Sequence, residues 1–258
     1  MSKGTFKKWI IGSLLLVVGL IICTAIIIVF TLPDPSNLKS NNPHTTSLIE
    51  QRRWAAKEKG LKFSIKQKWV AYSSIPDMLK KIVRISEDAS FYDHEGIDFE
   101  ELKESLKRNL EEGKFARGGS TITQQLAKNL YLSTHKSIFR KIKEYLIARR
   151  LEKSLSKDRI FYLYLNVIEF GNGIFGVEAA AQNYFGKSVS DLNLEEMIRL
   201  TAIIPRPLKI RAEGNSRWLM WRCCWIVEKL ILYHYIDDSV YQTLKDQFCR
   251  NSNSNQVE

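Results

Sequence analysis

The segment ISEDASFYDHEGID, Ile85–Asp98, closes an apolar helical pattern with two adjacent carboxylates and follows them with an aromatic ring and a histidine. Its helix opens with Pro76 near the first position and Asp77 in the first turn, both favoured at a helix start. Leu79, Ile82, Val83 and Ser86 then recur at helical spacing. Advancing 100° per residue sets Glu87 at the edge of that stripe while Asp88 points away, since sequence neighbours do not share a helix face. One acid is therefore desolvated and the other need not be. Desolvation disfavours the charged form and raises a carboxyl pKa towards the range useful to a general base. A helix-end carboxylate in a surface salt bridge is the competing reading of Glu87.

Upstream, the 258-residue chain carries 39 basic and 28 acidic residues, a net charge of +11. An anionic partner follows: nucleic acid, membrane or a phosphate-bearing substrate. No charged residue stands between Lys8 and Asp34, a run long enough to cross a bilayer core of about 30 Å. Lys3, Lys7 and Lys8 precede it, so the positive-inside rule keeps the amino terminus cytoplasmic and the rest outside. That placement, with everything after Pro33 outside, argues against nucleic acid. The division expected is a cytoplasmic tail at 1–8, a transmembrane helix at 9–32, a tether and short helix at 33–60, a catalytic domain at 61–245 and a tail at 246–258. Residues 34–46, rich in Pro, Ser and Asn, suggest a loose connection.

Four cysteines, Cys23, Cys223, Cys224 and Cys249, show no metal-ligand spacing. Buried or free thiols are expected ahead of a bridge from Cys249 to one of the adjacent pair. Gln51–Gly60 reads as a short basic helix, and Lys68–Tyr72 gives the one convincing strand signal. Otherwise the chain is mainly α. Residues 98–113 spell a helix with Leu102, Leu106 and Leu110 at four-residue intervals and a glycine stop. In GGSTITQQLAKNLYL, residues 118–132, Thr121 and Gln124 form a capping-box pattern. Thr121, Gln125, Lys128 and Asn129 then share a polar face opposite Ile122, Leu126 and Leu130. That face is either an ordinary solvated one or, being amides, hydroxyl and one cation behind bare glycine N–H groups, a surface for an anion.

Ser137 caps a further helix with Ile138, Ile142, Tyr145 and Leu146 as its buried stripe. Arg140 and Glu144, four apart, make either a common helical ion pair worth ~0.5 kcal/mol or less or a carboxylate held by cations beside a phosphate site. Ser156–Asp158 restarts a helix that stops at Gly171–Gly173. Glu178–Phe185 is closed by Gly186, Asn193 with Glu196 caps another helix, and Trp218–Tyr235 is an aromatic core helix.

Four stretches in order, Glu87-Asp88-Ala89-Ser90-Phe91 with His94 and Gly96, Gly118–Gln125, Arg140-Lys141 with Glu144, and Ile160–Asn166, resemble the peptidoglycan glycosyltransferase family. This is the glycan-polymerising module found alone or at the front of bifunctional penicillin-binding proteins. The resemblance covers about residues 65–240 and implies a lysozyme-like helical glycosyltransferase domain with a smaller membrane-facing lobe, preceded by one transmembrane helix. It implies polymerisation of lipid II into β-1,4 glycan strands with inversion and release of undecaprenyl diphosphate. On that pattern Glu87 deprotonates the acceptor 4-hydroxyl, while Glu144, with Arg140 and Lys128, receives the departing diphosphate. Thr121, Gln125 and Asn129 match the donor groove, and Asp88, Phe91 and His94 match the shell orienting Glu87.

Lys and Arg supply the charge a diphosphate needs, so no cofactor is required; a divalent cation, Mg or Mn, at the diphosphate is the alternative. Partners implied are lipid II, the growing lipid-linked glycan, the membrane and other cell-wall or division proteins. With the chain running to Glu258, no transpeptidase activity is expected. Arg206, between Pro205 and Pro207, stands where the family more often has Asn. Two other functions compete: a lysozyme-like or lytic glycan-cleaving enzyme, and an inactive membrane-anchored scaffold.

Overall fold

The computed structural model describes residues 3–112, 119–135 and 137–249. The glycine stop at 113, the basic run to 118 with the first glycine of the capped motif, and the chain beyond 249 lie outside them. Helix α1, Lys3–Phe30, contains one apolar stretch, Ile11–Ile28, of mean hydropathy 2.9 and with none of it buried in the protein. A helix bonds its own backbone internally, which is what a hydrocarbon environment demands.

The segment after α1 is not loose. It forms a short 3-10 turn at Ser36–Lys39 and buries Leu38. Arg150 donates to Leu32 O at 3.0 Å, and Arg159 to Leu38 O at 2.7 Å and Asn41 O at 2.8 Å. The expectation from composition missed this because the unpaired carbonyls of a Pro- and Asn-rich segment find donors on distant helices. Helix α2, Ser47–Glu58, starts ahead of the expected Gln51 because Thr46 caps it, accepting from Ile49 N.

Strand β1 is Lys66–Gln67, and the expected strand at Lys68–Tyr72 is absent. Two short strands were unforeseen: β2, Glu169–Gly171, and β3, Ile174–Phe175, ordered β1-β3-β2. Strands of two or three residues are too short to show a period of two. Gly173 makes the turn between β2 and β3 at φ +75°, where a Cβ would lie 2.2 Å from Ser64 O.

The core is helical. Helix α3, Asp77–Glu87, buries Leu79, Ile82, Val83 and Ile85, each contributing on the order of 2 kcal/mol. Helix α4 is Phe99–Glu112; its Leu102 is exposed, and Leu106 and Leu110 lie outside the side chains described. Helix α5, Ile122–Tyr131, packs against α2, α6 (Ile138–Ser154) and α7 (Lys157–Val167). Those neighbours bury Thr121, Thr123, Gln124, Ala127 and Asn129 as well as Ile122 and Leu126. The one-sided helix expected there is thus enclosed on nearly every face. In α6 the stripe also differs: Ile138, Ile142 and Tyr145 are exposed, and Glu144, Ile147, Ala148 and Leu151 are buried. The amino-terminal turns of α6 carry apolar residues outward while a carboxylate turns in.

Helices α8 (Val177–Phe185), α9 (Leu194–Ala202), α10 (Arg217–Leu232) and α11 (Asp238–Phe248) complete the domain. α3 packs on α9 and α10, and α10 on α11. Phe248 is fully buried and Cys249 bonds to Cys224 with Cα atoms 5.1 Å apart. The domain therefore runs past the boundary expected at 245, and a disulfide stands where thiols were expected. Geometry decides that pairing, and spacing in the sequence carries none of it.

Candidate active site

Glu87 is the last residue of α3, and the chain leaves the helix at Asp88, φ −166° and ψ 82°. Val83 and Leu79, four and eight residues earlier on the same face, hold that turn in the core. The Glu87 side chain is only 9% exposed. Its Oε2 accepts from Gln125 Nε2 at 3.1 Å, and its Oε1 lies 3.4 Å from Arg222 Nη2. Burial pushes the Glu87 pKa up, against the opposing pull of Arg222, Gln125 and Lys128. Tyr164 donates to Gln125 Oε1 at 3.0 Å, which fixes the amide so that its N–H faces the carboxylate.

Asp88 does turn away from the face of Glu87, but it is not left to solvent; its side chain is 1% exposed. It accepts from Ile122 N at 2.9 Å, a free donor at the first turn of α5, and from His94 Nε2 at 3.0 Å. A carboxylate suits a helix amino terminus. Gly96 N donates to His94 Nδ1 at 3.1 Å, so the ring carries its proton on Nε2, towards Asp88. Phe91 is fully buried against Phe161, with Lys157 Nζ 4.5 Å from its ring centroid. Thr121 caps α5 as its capping box requires and donates to Gly96 O at 2.8 Å. Asp88, His94, Gly96 and Thr121 thereby lock the 88–98 loop to the start of α5.

A second cluster lies on α6. Glu144, 3% exposed, accepts from Arg140 Nη1 and Lys141 Nζ, both at 2.5 Å. Lys141 also donates to Ser120 Oγ at 2.7 Å. Lys128 on α5 joins the two clusters electrostatically. Burial lowers its pKa; Glu144 opposes that, Arg140 and Lys141 add to it, and Glu87 opposes it again. A buried carboxylate, a desolvated ammonium and an arginine-lysine pair thus line one region, which suits deprotonation beside a polyanion.

Of the ten residues named from the sequence, Glu87, Gln125 and Lys128 meet at one end and Glu144 and Arg140 at the other. Asp88, Phe91, His94 and Thr121 lie behind Glu87, and Asn129 is buried on α5. Arg222 and Tyr164 were missed as site residues. Their contacts with Glu87 and Gln125 span 135 and 39 positions; the signals were a charge inside an aromatic helix for Arg222 and a place in the Ile160–Asn166 stretch for Tyr164. Among the described residues only Cys224, Glu228 and Cys249 cluster like metal ligands, and two of these are in the disulfide. The donors at Glu144 are cations, so this site does not fit a protein-held divalent ion.

The family model described as Transglycosylase matches residues 25–231. The chain belongs to the transglycosylase family. A biosynthetic peptidoglycan transglycosylase of Nitrosospira multiformis is 43% identical over 69% of this chain and 77% of its own length. One of Janthinobacterium sp. (strain Marseille) is 45% identical over 74% and 83%. Another, of Alcanivorax borkumensis, is 43% identical over 78% and 79%. In this transglycosylase both carboxylate clusters fall inside the matched region.

Proposed function

We propose that this chain is a peptidoglycan glycosyltransferase that polymerises lipid II into β-1,4 glycan strands for the bacterial cell wall. The observation carrying the reading is a buried carboxylate, Glu87, joined through the field of Lys128 to a carboxylate flanked by Arg140 and Lys141. Glu87 takes the proton of the acceptor 4-hydroxyl as that oxygen bonds to the anomeric carbon of the donor. The bond from that carbon to the diphosphate oxygen breaks on the opposite face, inverting the centre. Lys128, Arg140 and Lys141 receive the leaving diphosphate, which departs as an anion and needs charge more than a proton. No step is routed through a metal.

A glycan-cleaving site fits less well, because a sugar leaving group needs an acid and Glu144 is already taken up by two cations. An idle scaffold would have no use for a desolvated base. The apolar helix α1 is long enough to anchor the chain in a membrane, and the lysines ahead of its apolar stretch favour an amino terminus inside and a domain outside. Lipid II is confined to the same bilayer, since each buried methylene of its tail contributes about 0.8 kcal/mol. Exposed Ile138, Phe139 and Ile142 on α6 give the domain a membrane-facing side.

Labelled lipid II run on a gel tests this directly. Wild type yields polymer, and Glu87→Gln yields none, the rate falling by about 10² or more. Digestion of added glycan without polymer, or lipid diphosphate released without polymer, would sink the proposal.

A further inference from the structure

Arg222 stands on α10, an aromatic helix, and its side chain is only 14% exposed. One nitrogen, Nη2, reaches three acceptors on the last turn of α3: Ser86 Oγ at 2.9 Å, Ser86 O at 3.2 Å and Glu87 Oε1 at 3.4 Å. The Ser86 carbonyl is among those a helix cannot satisfy internally at its carboxyl end, where a cation is favoured. The guanidinium carbon lies 4.2 Å from the ring centroid of Trp225, one turn further along α10. Nε is buried and has no hydrogen-bond partner among the described residues, so the contacts of the group run through Nη2 and the Trp225 ring.

We propose that Arg222 is the positioning residue for Glu87, clamping the carboxylate from the α10 side so that Gln125 and Arg222 present its oxygens to the acceptor. This rests on Glu87 being the base. Two aligned donors leave the carboxylate few orientations, and one of them carries charge. The groups facing Glu87 are Gln125 and Lys128 from α5, Arg222 from α10, Tyr164 from α7 behind Gln125, and Asp88 with His94 in the adjoining loop; Glu144 on α6 lies beyond Lys128. Of these, Arg222 is the cation in direct contact. Burial raises the Glu87 pKa and Arg222 opposes the rise, so removing Arg222 moves that pKa further up. A base works only when ionised, hence the acid limb of kcat/KM moves to higher pH.

The test is a titration of the full chain in micelles, labelled with carboxyl-13C glutamate, the Glu87 signal being the one lost in Glu87→Gln. In Arg222→Gln the midpoint of Glu87 rises by about one pH unit, and kcat/KM below it falls about tenfold. Arg222→Lys, keeping charge but losing reach, lies between that variant and wild type, and decides the matter if the Gln variant does not fold. A midpoint unmoved in the folded variants, or activity lost equally at every pH, overturns the proposal. A wild type that makes no polymer would sink the enzymatic reading while leaving the titration to judge the clamp.

Discussion

Lys128 is the residue whose environment says most about the chemistry, because it is desolvated between two carboxylates and two other cations. Burial and the neighbouring Arg140 and Lys141 lower its pKa, while Glu144 and Glu87 oppose them. A diphosphate arriving there adds negative charge and favours the ammonium, so the cation is strongest when the leaving group needs it. Arg140 is different: it is already engaged with Glu144 at 2.5 Å, and its Nε is buried without a partner. Lys128→Ala and Arg140→Ala are each expected to reduce kcat/KM for lipid II by about 10². The loss is larger for Lys128, which has no carboxylate within ion-pair distance among the described residues. A polymerisation time course checks this; unchanged turnover in both variants would remove them from the diphosphate site.

Helix α5 depends on its first turn, and that turn also builds the site. Thr121 accepts from Gln124 N, Gln124 reaches back to Thr121 N, and Asp88 takes Ile122 N. The capping boxes of α5 and α9 were legible because a box is written within four residues. The same locality explains the Ser137 and Ser156 caps. Asp88 was not legible in this way, because its partner on α5 is 34 positions away and helix geometry stops at Glu87. Nor was the enclosure of α5, since a pattern of amides and hydroxyls does not say which helices will cover it. Thr121→Ala removes the cap and the bond to Gly96 O. A loss of about 1–2 kcal/mol is expected in denaturant unfolding, together with lower activity as the 88–98 loop slackens around Glu87. Full stability in that variant would mean that Asp88 alone secures the helix start.

At the scale of the whole molecule, what matters is how the apolar helix α1 and the catalytic domain are joined. Composition suggested a loose tether, yet the described segment after α1 is fastened by arginines from α6 and α7. Arg150 holds Leu32 O, and Arg159 holds Leu38 O and Asn41 O, while Leu38 enters the core. On the proposed reading, with α1 in the bilayer, the short connection leaves the domain little freedom beside it, and a lipid-linked substrate is met at a fixed height. Arg159→Ala releases two of those carbonyls to water and should leave the fold intact, because Arg159 lies on the side of α7 away from Gln125 and Glu87. A free tether lets the site sample many heights, of which few match the sugar-diphosphate plane. Polymerisation in vesicles should then fall several-fold, while in micelles, where substrate is not confined to a plane, it should stay near wild type. The ratio of the two rates is the measurement; an equal fall in both would show that Arg159 acts on the fold and not on the approach to the membrane.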